Sequence, residues 1–343
     1  MKILIMADGD LKIGLGHIFR CVAISEKFKE LSKKSKIYFI TKSDPNVKYN
    51  ILSEYECLNP SNNEVKINNL IKSSDFFISD LLDTPNSYIS NIKKLNPQIK
   101  TICIDNNTKF KKIKSADIVF NANVFDESEL MEDGTKYYLG PDYMILREKF
   151  EFIKRKNDLK ECKNVFISFG GADEKGCTIN VLKSLKNLKN DLNFHVIVGP
   201  LFNYSEDLKR LANNDKRIKI FKQPGNIIEL MEKSDLAITA AGITLYELSY
   251  LGIPSLVIPQ VEHQKKIADA FAKKEACINL GDNPTVADIS TNLKKLLSNE
   301  SIRNVYHKNS MNFIDGNGLK RFFIIILDDL NDKKIQKLET SQD

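Results

Sequence analysis

Lys2-Ile3-Leu4-Ile5-Met6-Ala7-Asp8-Gly9-Asp10-Leu11-Lys12-Ile13-Gly14-Leu15-Gly16-His17-Ile18-Phe19-Arg20-Cys21 opens the chain with a short apolar run, a glycine-bearing loop and the start of an amphipathic segment. The run lacks strict alternation, as a strand covered on both faces of a parallel sheet requires. Beyond the loop, Ile18, Cys21, Val22, Phe28 and Leu31 fall on one helical stripe, which predicts a crossover helix. Working outward, the same unit recurs. Further strands are predicted at Lys36–Thr41, Asp75–Asp80, Thr101–Asp105 and Ile118–Asn121, then at Asn164–Phe169, Asn193–Val198, Arg217–Phe221, Leu236–Thr239, Ser255–Ile258 and Cys277–Leu280. Their alternation with longer helical patterns predicts an α/β chain of two doubly wound, Rossmann-like domains.

The alternation breaks once, where REKFEFIKRKNDLKECK (residues 147–163) is highly charged and offers few core positions. A new strand with a glycine loop starts at Asn164. The expected division is therefore a first domain over 1–150, a linker over 151–163, a second domain over 164–330 and a polar tail over 331–343. The chain has 343 residues, 42% apolar and 28% charged, which excludes disordered, collagen-like and disulfide-scaffold classes. A net charge of +6 without a dense basic block suits a small anionic substrate and not a nucleic-acid groove. The apolar run Phe322–Leu327 is too short to cross a bilayer, and the amino end has no signal-peptide core. Six cysteines with no CxxC spacing read as reduced thiols, so a cytoplasmic protein without membrane insertion is expected.

In an open parallel sheet, ligands bind beyond the carboxyl ends of the strands, so the loops after the strands carry the functional reading. After the first strand, Gly14 and Gly16 permit a tight turn, but Phe19 stands where a dinucleotide fingerprint needs a third glycine, and no dinucleotide cofactor is expected. The loop instead presents His17 at a helix start, where the dipole disfavours a charged imidazole and suits it to accept a proton. Arg20, one turn later, has the reach to pair a carboxylate or phosphate. The competing reading is a capped helix with a structural or solvated histidine. Asp8-Gly9-Asp10 superficially resembles an Asp-x-Asp metal motif, but turn chemistry accounts for it and no metal is expected. Asp80, Asp83 and Asp105 end strands on the same edge, each able to hold a sugar hydroxyl, to orient His17, or merely to cap a turn.

In the second domain, Ser168-Phe169-Gly170-Gly171-Ala172-Asp173 exposes backbone N–H groups of the kind that bind phosphate, although glycine also serves such a turn sterically. The richest segment is Ala240-Ala241-Gly242-Ile243-Thr244-Leu245-Tyr246-Glu247, followed by Pro259-Gln260-Val261-Glu262-His263-Gln264. A diphosphate suits the helix start at Gly242–Thr244, and Glu247 lies a turn on, where it has two oxygens for ribose hydroxyls. His263 and Gln264 follow the next strand with reach to the same ligand. His195 and His307 read as structural. No Gly-x-Ser-x-Gly, HExxH, Walker or kinase signature occurs.

Gly14–Cys21, Gly140–Phe150 (GPDYMILREKF), Ser168–Asp173, Ala240–Pro254 (AAGITLYELSYLGIP) and Ile314–Arg321 (IDGNGLKR) resemble, in order, blocks of the nucleotide-sugar hydrolases of bacterial pseudaminic acid synthesis and the related spore-coat polysaccharide proteins. The second-domain block also resembles the UDP-binding lobe of the GlcNAc transferase that completes the peptidoglycan lipid precursor. The resemblance implies the GT-B fold, with two Rossmann-like domains and the active site between them. It implies metal-independent hydrolysis of UDP-2,4-diacetamido-2,4,6-trideoxy-β-L-altropyranose at the anomeric C1–O bond with inversion, and no cofactor. His17 falls on the essential histidine, with Asp8, Gly14, Gly16, Arg20, Asp80 and Asp105 on the sugar side. Gly242, Ile243, Thr244 and Glu247 fall on the diphosphate- and ribose-binding positions, and Ile227 in the loop expected to meet uracil; Gly170, Gly171, His263 and Gln264 are expected on the nucleotide side from the loops they occupy. The chain departs from the family's pattern at Leu81-Leu82, where a His-Tyr is usual, and at His263, where an Asn is common. The first departure leaves the sugar open. The alternatives are a GT-B glycosyltransferase using a UDP-sugar donor and a non-catalytic UDP-sugar-binding protein; a monomer or weak homo-oligomer is expected.

Overall fold

A computed structural model describes residues 1–343 except 10–14, 44, 82, 106–112, 114, 124–133, 154–160, 172, 187, 189–190, 200–201, 204 and 340–343. Its thirteen strands are β1 (Lys2–Ala7), β2 (Lys36–Ile40), β3 (Glu56–Leu58), β4 (Phe76–Asp80), β5 (Lys100–Ile104), β6 (Ile118–Asn121), β7 (Lys136–Leu139), β8 (Asn164–Ser168), β9 (Asn193–Val198), β10 (Ile218–Lys222), β11 (Leu236–Thr239), β12 (Ser255–Val257) and β13 (Ile278–Asn279). The helices are α1 (Gly16–Leu31), α2 (Pro45–Asn50), α3 (Glu64–Lys72), α4 (Asn86–Leu95), α5 (Cys177–Ser184), α6 (Ser205–Asn213), α7 (Ile227–Glu232), α8 (Ile243–Tyr250), α9 (Glu262–Lys273), α10 (Val286–Ser298), α11 (Glu300–Phe313) and α12 (Gly318–Glu339). The first seven strands form a parallel sheet in the order 3-2-1-4-5-6-7, and the last six form another, 10-9-8-11-12-13. Both reverse direction beside their first strand, the doubly wound arrangement that the apolar runs imply.

Side-chain alternation assigns the two faces of each sheet. In β1, Ile3 and Ile5 join the core beneath α1, whereas Leu4 joins the core beneath α3 and α4. In β8, Val165 and Ile167 pack with α5 and α10, whereas Phe166 packs with α8 and α9. Each strand therefore loses water on both sides. Leu31, included in the expected α1 stripe, lies at the exposed end of the helix instead.

Two edge strands, β3 and β7, fall outside the expected set. Both carry exposed or half-exposed residues (Glu56, Lys136, Tyr137, Tyr138), so neither shows the doubly buried signature. The expected domain limits also need correction. Met144, Leu146 and Phe150 already belong to the core of the second sheet, while Ile145 between them belongs to that of the first. The chain thus crosses over within 144–150, ahead of 151; of the expected linker, 154–160 lies outside the described residues.

It then crosses back. Leu319, Phe322, Phe323 and Ile326 form one stripe of α12 that lies in the core of the first sheet, with Phe323 edge-on to Phe28 (4.8 Å) and Phe322 against Phe120 (4.8 Å). Residues 318–330 therefore complete the first unit and not the second. A stripe at helical spacing states that a helix has a core-facing side but not which core it meets. The expected polar tail is helical through Glu339. No helix among the described residues is long and apolar enough to cross a membrane.

His307 is structural, as expected: buried on α11, its Nδ1 lies 2.6 Å from the Gly252 carbonyl, to which an Nδ1–H donates. Gly252 has φ +72°, and a Cβ there would sit 2.5 Å from the same ring. Gly252→Ala should therefore cost roughly 2 kcal/mol or more, from left-handed strain and overpacking together. A urea unfolding midpoint measures it, and an unchanged midpoint would contradict this account.

Candidate active site

The β1–β4 neighbourhood is the switch point of the first sheet, and register puts Ala7 opposite Asp80. The loop after β1 leads into α1, so His17 on its first turn and Arg20 on the next come to lie over the end of β4. The Asp80 carboxylate, fully buried, accepts from Arg20 Nε and Nη2 (2.6 Å each) and meets His17 Nδ1 at 2.7 Å. Burial alone would raise the Asp80 carboxyl; the Arg20 guanidinium and the His17 ring overcome it and hold it well below the usual carboxylate range. An Nδ1–H directed at Asp80 fixes the ring's tautomer and leaves Nε2 as the nitrogen able to take a proton. One tenth of the His17 side chain stays exposed.

The structure thus brings His17, Arg20 and Asp80 together. Within this cluster Arg20 and Asp80 are bonded to each other, and Asp80 to His17. Asp8 accepts from the Lys42 N–H (2.6 Å) and the Thr41 hydroxyl (3.3 Å), bracing the exit of β2. Asp105 ends β5 and accepts from the Asn121 amide at 2.9 Å. Gly14 and Asp10 lie outside the described residues. Gly16 begins α1, and a Cβ on it would stand 2.2 Å from Ile243 Cδ1, so the starts of α1 and α8 touch.

That contact defines the rest of the site. Neither α1 nor α8 has a side-chain cap or an acidic residue in its first turn. By contrast, α10 is capped by Thr285 with Asp288, and α11 by Asn299. Two N-termini without a side-chain cap among the described residues, one from each half, converge beside His17, and their dipoles favour an anion there. Gly242, Ile243 and Thr244 supply the α8 end, and the Gln264 amide nitrogen lies 4.0 Å from the Cβ position of Gly242. The Thr239 hydroxyl, at the end of β11, is buried without a hydrogen-bond partner among the described residues. Ile227 opens α7 and packs on the second core, and His263 stands exposed on the first turn of α9.

The Gly170-Gly171 loop differs from its expected phosphate role at the helix it feeds. Asp173 occupies the start of α5, accepting from the N–H groups of Cys177 (2.9 Å) and Thr178 (2.8 Å). A phosphate at that helix end would meet a resident carboxylate.

Glu247 also has a partner that sequence reasoning missed. Buried on α8, its Oε1 and Oε2 accept from Arg147 Nε (2.6 Å) and Nη2 (2.8 Å), so a ribose there would share the carboxylate with that arginine. Burial raises the Glu247 carboxyl, and Arg147 opposes the rise. Tyr246 on the same face donates its hydroxyl to Asn123 Oδ1 at 2.8 Å. Arg147 lies in the charged run that reads as linker, and only its place in the GPDYMILREKF block singles it out.

Two parallel-sheet units with their loop edges joined at paired helix starts define a GT-B protein. Residues 164–318 match the Glycosyltransferase family 28 C-terminal domain, and the chain is a homologue of the spore-coat polysaccharide protein SpsG and of the pseudaminic-acid UDP-sugar hydrolases. It is 29% identical to the spore coat polysaccharide biosynthesis protein SpsG of Bacillus subtilis over 98% of this chain and 100% of that one. It is 26% identical to the UDP-2,4-diacetamido-2,4,6-trideoxy-beta-L-altropyranose hydrolase of Campylobacter jejuni over 80% of this chain and 97% of that one. An uncharacterised protein of Methanocaldococcus jannaschii is 35% identical over 80% of this chain, which spans only 59% of that longer protein. Among solved structures, MurG of Acinetobacter baumannii superposes with a TM-score of 0.66 at 14% identity, covering 96% of this chain and 100% of its own, a likeness of fold alone.

Proposed function

We propose that the chain hydrolyses a UDP-diacetamido-trideoxy-hexose at the anomeric C1–O bond, with inversion and without a metal, releasing UDP and the free sugar for nonulosonic acid synthesis. The observation that carries this reading is the meeting of the α1 and α8 N-termini beside the His17–Asp80–Arg20 cluster. The diphosphate binds the free N–H groups of Gly242, Ile243 and Thr244, with Gln264 bordering it. As a water oxygen attacks C1, its proton passes to His17 Nε2, and the C1–O electron pair leaves with UDP. Asp80 holds the imidazole in the tautomer that accepts this proton and balances its charge afterwards, while Arg20 holds Asp80. The leaving diphosphate is stabilised by preorganised N–H donors. The name of the Campylobacter jejuni hydrolase relative supports the substrate class, and that of SpsG supports a role in polysaccharide biosynthesis.

Turnover of UDP-2,4-diacetamido-2,4,6-trideoxy-β-L-altropyranose in H₂¹⁸O with EDTA, followed by mass spectrometry, tests the reading. Label is expected in the sugar. Label in UDP, or no turnover until a divalent metal is added, would overturn it. The family 28 match over 164–318 favours one second reading, transfer of the sugar to an acceptor hydroxyl deprotonated by His17. Transfer to an added acceptor faster than hydrolysis would select it.

A further inference from the structure

One face of α8 is taken up by the first half of the chain. Ile243, Tyr246, Glu247 and Tyr250 stand at i, i+3, i+4 and i+7. Ile243 abuts Gly16, Tyr246 holds Asn123, Glu247 holds Arg147, and Tyr250 lies against Phe150 at 5.9 Å. The charged member of this seam is the most constrained. The Arg147 guanidinium carbon sits 5.9 Å from the ring centre of Phe19, on α1 two residues beyond His17, and 5.6 Å from that of Phe150. Its fork closes on both oxygens of Glu247, one turn into the helix whose start faces Gly16. A planar, two-pronged donor within cation–π range of two rings fixes direction as well as distance, which a lysine ammonium does not.

We propose that Arg147 is a positioning residue for the reaction at His17: by bridging Phe19 of α1 to Glu247 of α8, it sets the start of one helix against the start of the other. The inference rests on the UDP-sugar reading above and deepens it. Arg147 acts through α1 and α8 and needs no contact with substrate. An angstrom of slack between base and anomeric carbon lowers the rate of the chemical step while leaving the N–H groups that grip the diphosphate unchanged.

The experiment uses the full chain, UDP as the binding probe, and imidazole resonances from protein labelled with ¹³C at histidine. The chain has four histidines, and the His17 signal is assigned by its loss in His17→Gln. In the wild type, saturating UDP should shift that signal. In Arg147→Met, UDP affinity should stay within about threefold, while the His17 shift falls by half or more and kcat falls about tenfold or more. Arg147→Lys should recover only part of both. Glu247→Gln should reproduce the Arg147→Met result, and the double variant should be no worse than either single one. An undiminished His17 response and kcat in Arg147→Met would overturn the inference and leave the nucleotide reading standing. So would a loss of UDP affinity in Glu247→Gln that Arg147→Met does not share, because Glu247 would then serve the ribose. Failure of the wild type to bind UDP would overturn the nucleotide reading itself, and the inference with it.

Discussion

His17→Ala should release UDP from the diacetamido-trideoxy sugar nucleotide about 10²–10⁴-fold more slowly than the wild type, the span that a positioned general base contributes. The substitution removes the ring but leaves Asp80 with both Arg20 donors at 2.6 Å, so the buried carboxylate stays compensated and the fold should persist. UDP affinity should therefore be nearly unchanged, since the diphosphate contacts proposed above lie on α8. Steady-state UDP release together with UDP titration calorimetry separates these effects. Equal loss of affinity and rate would mean that His17 binds the nucleotide and is not a base; wild-type turnover in the variant would remove it from the chemistry altogether. His17→Gln, which keeps a hydrogen-bonding group toward Asp80, should be just as slow, because an amide cannot accept the proton.

Arg20→Met should destabilise the protein by roughly 3–5 kcal/mol, the usual cost of stripping the partner from a buried ion pair. Asp80 has no measurable exposure, and Arg20 supplies two of its three closest donors among the described residues. The same pair gives stability a definite pH dependence. A carboxyl depressed in the folded state contributes fully above the unfolded aspartate value near 3.9 and loses that contribution as pH falls below it. Urea midpoints of the wild type should therefore decline as the medium is acidified through and below about pH 4, with a shallower decline in Asp80→Asn. Arg20→Met at wild-type stability, or wild-type and Asp80→Asn curves of equal slope, would contradict this account of the cluster.

Much of the architecture was legible because doubly buried strands write themselves as uninterrupted apolar runs. β1, β8 and β11 fall where Lys2–Ala7, Asn164–Phe169 and Leu236–Thr239 place them, give or take a residue. The edges were not: β7 runs from an exposed Lys136 through two half-exposed tyrosines to a single buried Leu139, a pattern shared with ordinary loops. His17 was visible from its glycine loop, and Asp80 was one of three strand-end acids. Strand order rules out Asp105, since β4 and not β5 lies beside β1, and register sets Asp80 rather than Asp83 opposite Ala7. The seam was invisible for a related reason. Arg147 and Glu247 stand 100 residues apart, and no local pattern records that a charge in a linker-like run will be buried against a helix of the other half. Asp173 shows the converse case, a strand–glycine–helix unit whose anion site the chain fills with its own carboxylate.

The return of α12 to the first sheet has a consequence for biosynthesis. On the ribosome, the amino-terminal strands emerge early, yet Phe28 and Phe120 wait for Phe322 and Phe323, and Lys136 waits for Asp329, 193 positions downstream. Until that last segment leaves the exit tunnel, the nascent amino-terminal half carries an open oily groove, a natural docking point for chaperones. The half translated first is therefore the half finished last.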